Sequence, residues 1–228
     1  MKAKTRNSTI ISPPKFQERL EMYEDDDGND ECEHEGQALV FADYESKDYF
    51  MLYGMINEAS VANLIYSLTL MTKDDEKILA KQKEEKIEEG LKPITIMLNS
   101  EGGYVSDFFA LYDVIKRIQK TREVHTIGIG KIMSACVPLL ACGTKGKRKI
   151  GNNTRVMLHS VGGGNSGSIH SIKAQFEELK LMQKKYALLL EEETKMPKKI
   201  INKIFDKKVD VFLDAKQAIE YGIADELM

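Results

Sequence analysis

Ser134 stands in the run GKIMSACVPLLACGTKGKR (Gly130–Arg148), a single serine hydroxyl among mostly small and apolar side chains. Such a group costs free energy in an apolar setting unless it is hydrogen-bonded. It is therefore either a satisfied core serine or a residue placed to react. His159 closes the apolar run RVMLH, 25 residues further on, and an imidazole there suits general-base work. The turn NSEGG (Asn99–Gly103) adds Gly102 and Gly103, which could expose backbone N–H groups. A hydroxyl, an imidazole and exposed N–H donors are the parts of a nucleophilic acyl-transfer site. The base takes the proton as the hydroxyl attacks a carbonyl, and the donors hold the resulting oxyanion. An acid is needed to fix the imidazole tautomer. Asp206, Asp210, Asp214 and Asp225 all follow, and spacing alone does not choose among them. Taken singly, each residue also has an ordinary structural reading; their combination raises the case for chemistry.

Elements must bring these residues together. YFMLYGMI (Tyr49–Ile56) and PITIML (Pro93–Leu98) read as buried strands, and HTIGIG as a third that runs into Ser134. RVMLH (Arg155–His159) is a fourth. Val61, Leu64, Ile65 and Leu68 have helical spacing, YVSDFFALYDVIKRIQK is amphipathic, and SACVPLLACG reads as a helix beginning at the serine. After the Gly/Ser loop SVGGGNSGS, the apolar positions Ile169, Ile172, Phe176, Leu179, Met182, Tyr186 and Leu189 step by three or four, predicting one long helix. Two further helices are expected near Ile200–Phe205 and Ala215–Tyr221. Strands alternating with helices predict an α/β fold with a largely parallel sheet. The candidate residues then fall on loops at the carboxyl ends of its strands, where such sheets place their sites.

The chain has 228 residues, 42% hydrophobic and 30% charged, with a net charge of −3. That suits one globular domain and gives no reason to expect nucleic acid or an anionic membrane as partner. Residues 1–36 differ in character. SPPKF cannot be regular helix, and EDDDGNDECEHEG is a nearly apolar-free acidic block, expected to be a flexible arm. The remaining domain is placed at 37–228. Cys32 and His34 match no common ligand spacing, so no metal is expected. Cys32, Cys136 and Cys142 form neither a disulfide framework nor a CxxC motif, as in a reducing, cytoplasmic setting. The start lacks the apolar core of a secretory signal, and no apolar run reaches the ~18 residues of a membrane span.

From about Tyr49 to Met228 the sequence resembles the ClpP family, the proteolytic subunits of the Clp protease. The resemblance is carried by MLNSEGG, by GKIMSACVPLLACGTKGKRKIGNNTRVMLH, by GGGNSGS and by VDVFLDAKQAIEYGIADEL. It implies a ClpP/crotonase-like α/β fold of stacked parallel sheets with flanking helices and a protruding handle helix. It places the nucleophile at Ser134, the base at His159, the acid at Asp210 and the oxyanion donors at Gly103 and Ala135. Gly102 and the loop Gly162, Gly163 and Gly164 fall where a substrate backbone binds as an added strand. No cofactor is implied. The substrate would be a peptide or unfolded protein, cleaved inside a heptameric ring whose handle helices join a second ring.

Departures from the pattern shape these expectations. Glu101 replaces a proline and Ala135 a methionine, and neither change removes a backbone donor. TKDDEKILAKQKEEKIEEGLK is longer than its counterpart and strongly charged. Thr95, Met97 and Arg117 replace aromatic and apolar residues of the pocket that docks the family's AAA+ unfoldase, which predicts weakened docking. Lys208-Val209 replaces an acidic–Arg pair used between rings. The alternatives are a catalytically idle ring subunit or scaffold, a phage-type maturation protease working without an ATPase, and a crotonase-type acyl-CoA enzyme, which would leave Ser134 and His159 unexplained.

Overall fold

The computed structural model describes residues 48–228 apart from Glu88, Asn165, Lys208 and Val209. The acidic arm, Cys32, His34 and the Lys208-Val209 departure lie outside the described residues.

Seven strands form one branched sheet. Strands β1 (Tyr49–Tyr53), β2 (Ile94–Ser100), β3 (Val124–Met133), β4 (Arg148–Ile150) and β7 (Glu226–Leu227) lie side by side in that order, all parallel. The far half of β3 carries a second branch: β5 (Arg155–Leu158) pairs with it in parallel, and β6 (Val211–Leu213) pairs with β5 antiparallel. The split follows a register shift between β2 and β3 after Leu98. β3 thus serves both branches, with β4 against Thr126–Gly128 and β5 against Lys131–Met133. The short strands β4, β6 and β7 are not expected from the sequence pattern, and β1 stops at Tyr53; Ile56 makes only an isolated bridge to Gly103.

Helices α1 (Glu58–Thr72), α2 (Asp75–Glu84), α3 (Val105–Ile118), α4 (Cys136–Ala141), α5 (Ile169–Glu193), α6 (Lys198–Lys207) and α7 (Ala215–Glu220) complete the fold. α1 starts on a capping box, with Asn57 accepting from the Ser60 N–H and the Ser60 hydroxyl accepting from the Asn57 N–H. α4 is buried along its whole length and packs against β3, β2 and β5. Pro138 is its third residue, where an N–H would have no intrahelical partner. The core runs from Leu52, Leu64 and Leu68 through Ile96, Leu98, Phe108 and Leu111 to Leu139, Leu158 and Leu190.

The charged insertion forms α2, and its first residue is fastened to the fold. Asp75 is buried and pairs with Arg122, whose Nε lies 2.7 Å from its carboxylate; the Thr121 hydroxyl adds a bond to the same group. Among the described residues no helix is long and apolar enough to cross a membrane.

Candidate active site

β3 and β5 end side by side, and this adjacency positions the serine and the histidine. The register Met133↔Met157 brings Ser134 beside the end of β5, and its N–H donates to the Met157 carbonyl at 2.8 Å. Ser134 has φ of +52°, a left-handed conformation that non-glycine residues adopt only when their surroundings enforce it. The chain turns sharply there from strand to helix, which lifts the side chain clear of the backbone in the manner of a nucleophile elbow. α4 begins at Cys136, two residues later than the sequence suggests, because Ser134 and Ala135 are consumed by this turn. Ser134 is half-buried rather than enclosed, and its Oγ lies 2.8 Å from Nε2 of the half-buried His159.

The glycine pair of the β2 loop packs against this turn. A Cβ on Gly102 would fall 2.6 Å from the Ser134 Cβ and 2.9 Å from the Met133 carbonyl, so only glycine lets the loop approach. The Gly102 N–H is taken up by the Ser100 hydroxyl at 3.0 Å. Gly103 abuts Ile56, where a Cβ would lie 2.0 Å from the carbonyl oxygen. The parallel bridge there uses the Ile56 N–H to the Gly102 carbonyl and the Tyr104 N–H to the Ile56 carbonyl. Gly103's own N–H is not used by it. The Ala135 N–H likewise has no backbone acceptor among the described residues. Gly103 and Ala135 line, with Ser134 and His159, a cleft of about 320 Å³ that also reaches Met55, Val161, Gly162 and Tyr186.

The other candidate residues separate. Gly162 lines the cleft, Gly163 packs on Leu179, and Gly164 stands in open space. Of the four aspartates, Asp214 caps α7 in a box with Gln217. Asp225 receives Arg148 Nε at 2.8 Å and the Gly146 N–H at 2.7 Å. Its burial raises the carboxyl pKa, but the Arg148 hydrogen bonds outweigh that and hold it below the usual range. Asp206 is exposed on α6. Asp210 precedes β6, whose pairing Leu158↔Val211 sets it directly across from His159 when continued by one residue. It is exposed there and makes no hydrogen bond to His159 among the described residues.

One participant in this region is visible in the sequence only as an apolar position. Tyr186 of α5 is 3% exposed and its hydroxyl donates to the Ser134 carbonyl at 2.9 Å. The signal available was the residue type: a tyrosine in a buried stripe needs a partner for its hydroxyl. Cys136 and Cys142, free and fully buried, take no part; desolvation pushes the Cys142 thiol up to about 12, with the nearby Glu193 charge adding to it, and raises Cys136 further.

The positions expected to dock an unfoldase lie apart in a single chain. Thr95 lines a 390 Å³ cavity with Tyr49, His125, Ile127, Lys147 and Lys149. Arg117 lies in a separate polar cleft between α1 and α3 with Thr69, Thr72 and Glu76. Among the described residues no group of three or more His, Cys, Asp or Glu side chains could hold a metal ion.

The family model for Clp protease matches residues 47–228, and the chain belongs to that family of serine proteases. It is 37% identical over 142 residues to the ATP-dependent Clp protease proteolytic subunit 2 of Chlamydia pneumoniae, a match covering 62% of this chain and 68% of that protein. It is 35% identical over 137 residues to the protein of the same name from Thermobifida fusca, covering 60% and 66% respectively. These relationships support a peptidase, and the fold is that of a ClpP-type protease.

Proposed function

We propose that the chain is a serine endopeptidase in which Ser134 is the nucleophile, His159 its general base and Asp210 the acid that orients the imidazole. The observation that carries this reading is the Ser134 Oγ–His159 Nε2 distance of 2.8 Å at a strained strand-to-helix turn. In the reaction His159 takes the Ser134 proton as Oγ attacks the peptide carbonyl. The N–H groups of Gly103 and Ala135 receive the oxyanion, and loss of one such donor costs about 3–4 kcal/mol of transition-state stabilisation. The protonated imidazole then passes its proton to the leaving amine, and water repeats the sequence to release the acid. For Asp210 to hold the imidazole it must turn inward from its exposed position; triad hydrogen bonds are often loose before substrate binds. Gly162 offers its backbone to an extended substrate at the cleft wall.

The peptidase domain is taken as residues 37–228, with 1–36 as an acidic arm. Family membership suggests an oligomer that degrades protein substrates, and we assign the chain to a heptameric ring in the cytoplasm, joined to a second through α5. The relatives' names include ATP dependence. Here Thr95, Lys147 and Lys149 make the candidate docking cavity polar, and an apolar unfoldase loop would find few anchors. A dedicated partner, or substrates that need no unfolding, fit better than a standard AAA+ ATPase.

The test is a serine-reactive fluorophosphonate with a fluorogenic peptide assay. Wild type is expected to label and to cleave, and Ser134→Ala to do neither. A second reading, an idle ring subunit, is favoured by the missing Asp210–His159 bond. An assembled protein that neither labels nor cleaves would establish that reading instead.

A further inference from the structure

Tyr186 lies on the inner half of α5 with its ring edge-on to Phe108 and Phe205, at centroid distances of 6.1 and 5.5 Å. Those contacts fix the ring, and the hydroxyl reaches the turn at the end of β3, donating to the Ser134 carbonyl at 2.9 Å. The same oxygen accepts the Val137 N–H at 3.0 Å. This carbonyl and the Ala135 N–H belong to one peptide unit. The unit is planar and trans, so the direction of one group dictates the direction of the other.

We propose that Tyr186 is a positioning residue for hydrolysis: its hydroxyl holds the Ser134–Ala135 peptide plane so that the Ala135 N–H stays aimed at the oxyanion. The inference rests on the reading of Ser134 as nucleophile. The need for such a clamp follows from Ser134's φ of +52°. A residue in a sparsely populated conformation persists only when its neighbours over-determine it. Rotation of the following peptide would turn the N–H away and point a carbonyl oxygen at the developing negative charge. Tyr186 opposes that rotation because its hydroxyl, almost wholly buried, would lose its acceptor, and an unsatisfied buried donor is costly. Burial also raises the phenol pKa well above its ordinary value, so the group remains a donor throughout the neutral range. A hydrogen bond onto the carbonyl further polarises the peptide and strengthens its N–H as a donor. The clamp comes from α5, so the helix proposed to join the rings also fixes the oxyanion peptide.

The experiment compares Tyr186→Phe with wild type as the full chain in the assembly it forms. The concentration of competent sites is titrated with fluorophosphonate, so that kcat is expressed per reactive Ser134. Expected is a fall in kcat of about tenfold with KM nearly unchanged, since the interaction strengthens only in the transition state. A peptide aldehyde, whose hemiacetal oxygen occupies the oxyanion position, should bind about tenfold more weakly. Tyr112→Phe removes another buried hydroxyl, one that donates to Glu193 at 2.7 Å, and is expected to leave both quantities unchanged. Tyr186→Phe with wild-type kcat and aldehyde affinity, beside an inactive Ser134→Ala, would overturn this inference alone. So would a loss of kcat in Tyr112→Phe as large as that in Tyr186→Phe. Hydrolysis surviving in Ser134→Ala would overturn the nucleophile and the clamp together.

Discussion

The two ends of α5 differ sharply in burial. The helix is about 37 Å long at 1.5 Å per residue. At its start Ile169 is 84% exposed and Phe176 54%, with Ile172 and Leu181 also open to solvent. At its finish Tyr186, Leu190 and Glu193 are buried. The inner end is satisfied by its own chain. Glu193 accepts from Tyr112 at 2.7 Å, Lys116 at 3.0 Å and Lys145 at 2.7 Å, while its carbonyl accepts from Lys145 and Arg148. The outer end has no such partners among the described residues, and on the proposed reading its exposed apolar side chains are an interaction surface. One helix therefore carries a completed anchor beside Ser134 and an exposed apolar surface away from it. On the proposed reading the inner end serves the site and the outer end serves assembly.

The largest effect is expected at the proposed triad. Asp210→Asn should lower kcat by on the order of 10³–10⁴-fold through the wrong imidazole tautomer, with the melting temperature within about 2 °C of wild type because the residue is exposed. Peptidase assays beside calorimetry decide it. A fully active Asp210→Asn beside a crippled Asp206→Asn would move the acid to α6 and break the assignment.

The anchor itself comes next. Glu193→Gln leaves Lys145 and Lys116 without their counter-charge. Removing one member of a buried pair costs about 3–5 kcal/mol, and since both lysines are roughly half exposed about 2 kcal/mol is the better expectation. That corresponds to a fall in Tm of several degrees for a domain this size. Urea denaturation measures it, and a midpoint unchanged from wild type would mean that the inner end is held by packing alone.

Acid should reach the same anchor more gently. Burial raises the Glu193 pKa, but the hydrogen bonds from Lys145, Tyr112 and Lys116 outweigh it and hold the folded value below the usual range; Asp225 is likewise depressed by Arg148. Carboxylates with depressed folded values bind fewer protons than in the unfolded chain. Their contribution to stability is therefore complete above the ordinary carboxylate pKa of about 4 and is lost as pH falls through the folded values. Urea midpoints should be flat above about pH 5 on this account and decline below about pH 4. Glu193→Gln should flatten part of that decline, and a variant with the full wild-type slope would remove Glu193 from it.

Much of the candidate site is legible in the sequence because its residues sit where local elements end. Ser134 follows the end of β3, His159 closes RVMLH and the Gly102–Gly103 pair follows β2; parallel pairing then brings those ends together. The residues alone do not choose among four aspartates, and the proposed choice rests on β6, a three-residue strand with too few positions to display alternation. Only its antiparallel partnership with β5 sets Asp210 opposite His159, and only the caps and ion pairs of the fold occupy Asp214 and Asp225. The Asp75–Arg122 clamp was hidden for a related reason, because a contact across 47 residues leaves no periodic trace. The long helix was legible in full, yet its apolar stripe reads alike along its length; burial alone distinguishes Tyr186 from Phe176.

The smallest expected effect on the fold is at the outer end, and it sharpens the comparison most. Ile172→Lys with Phe176→Lys places two charges on a surface that already faces water. Surface substitutions away from caps and buried networks usually change stability by less than about 0.5 kcal/mol, and Lys fits a helix interior well. The urea midpoint of the chain should therefore stay near wild type. Assembly should not: a charge desolvated in an apolar contact without a partner is strongly unfavourable. Sedimentation is expected to show a smaller particle than wild type, with peptidase activity reduced in proportion if the inner end depends on a docked outer end. A variant that sediments as wild type would mean that the stripe is not an interface. A smaller particle with full activity would mean instead that the inner anchor, with Tyr186 on the Ser134 carbonyl, suffices to hold the site in one chain.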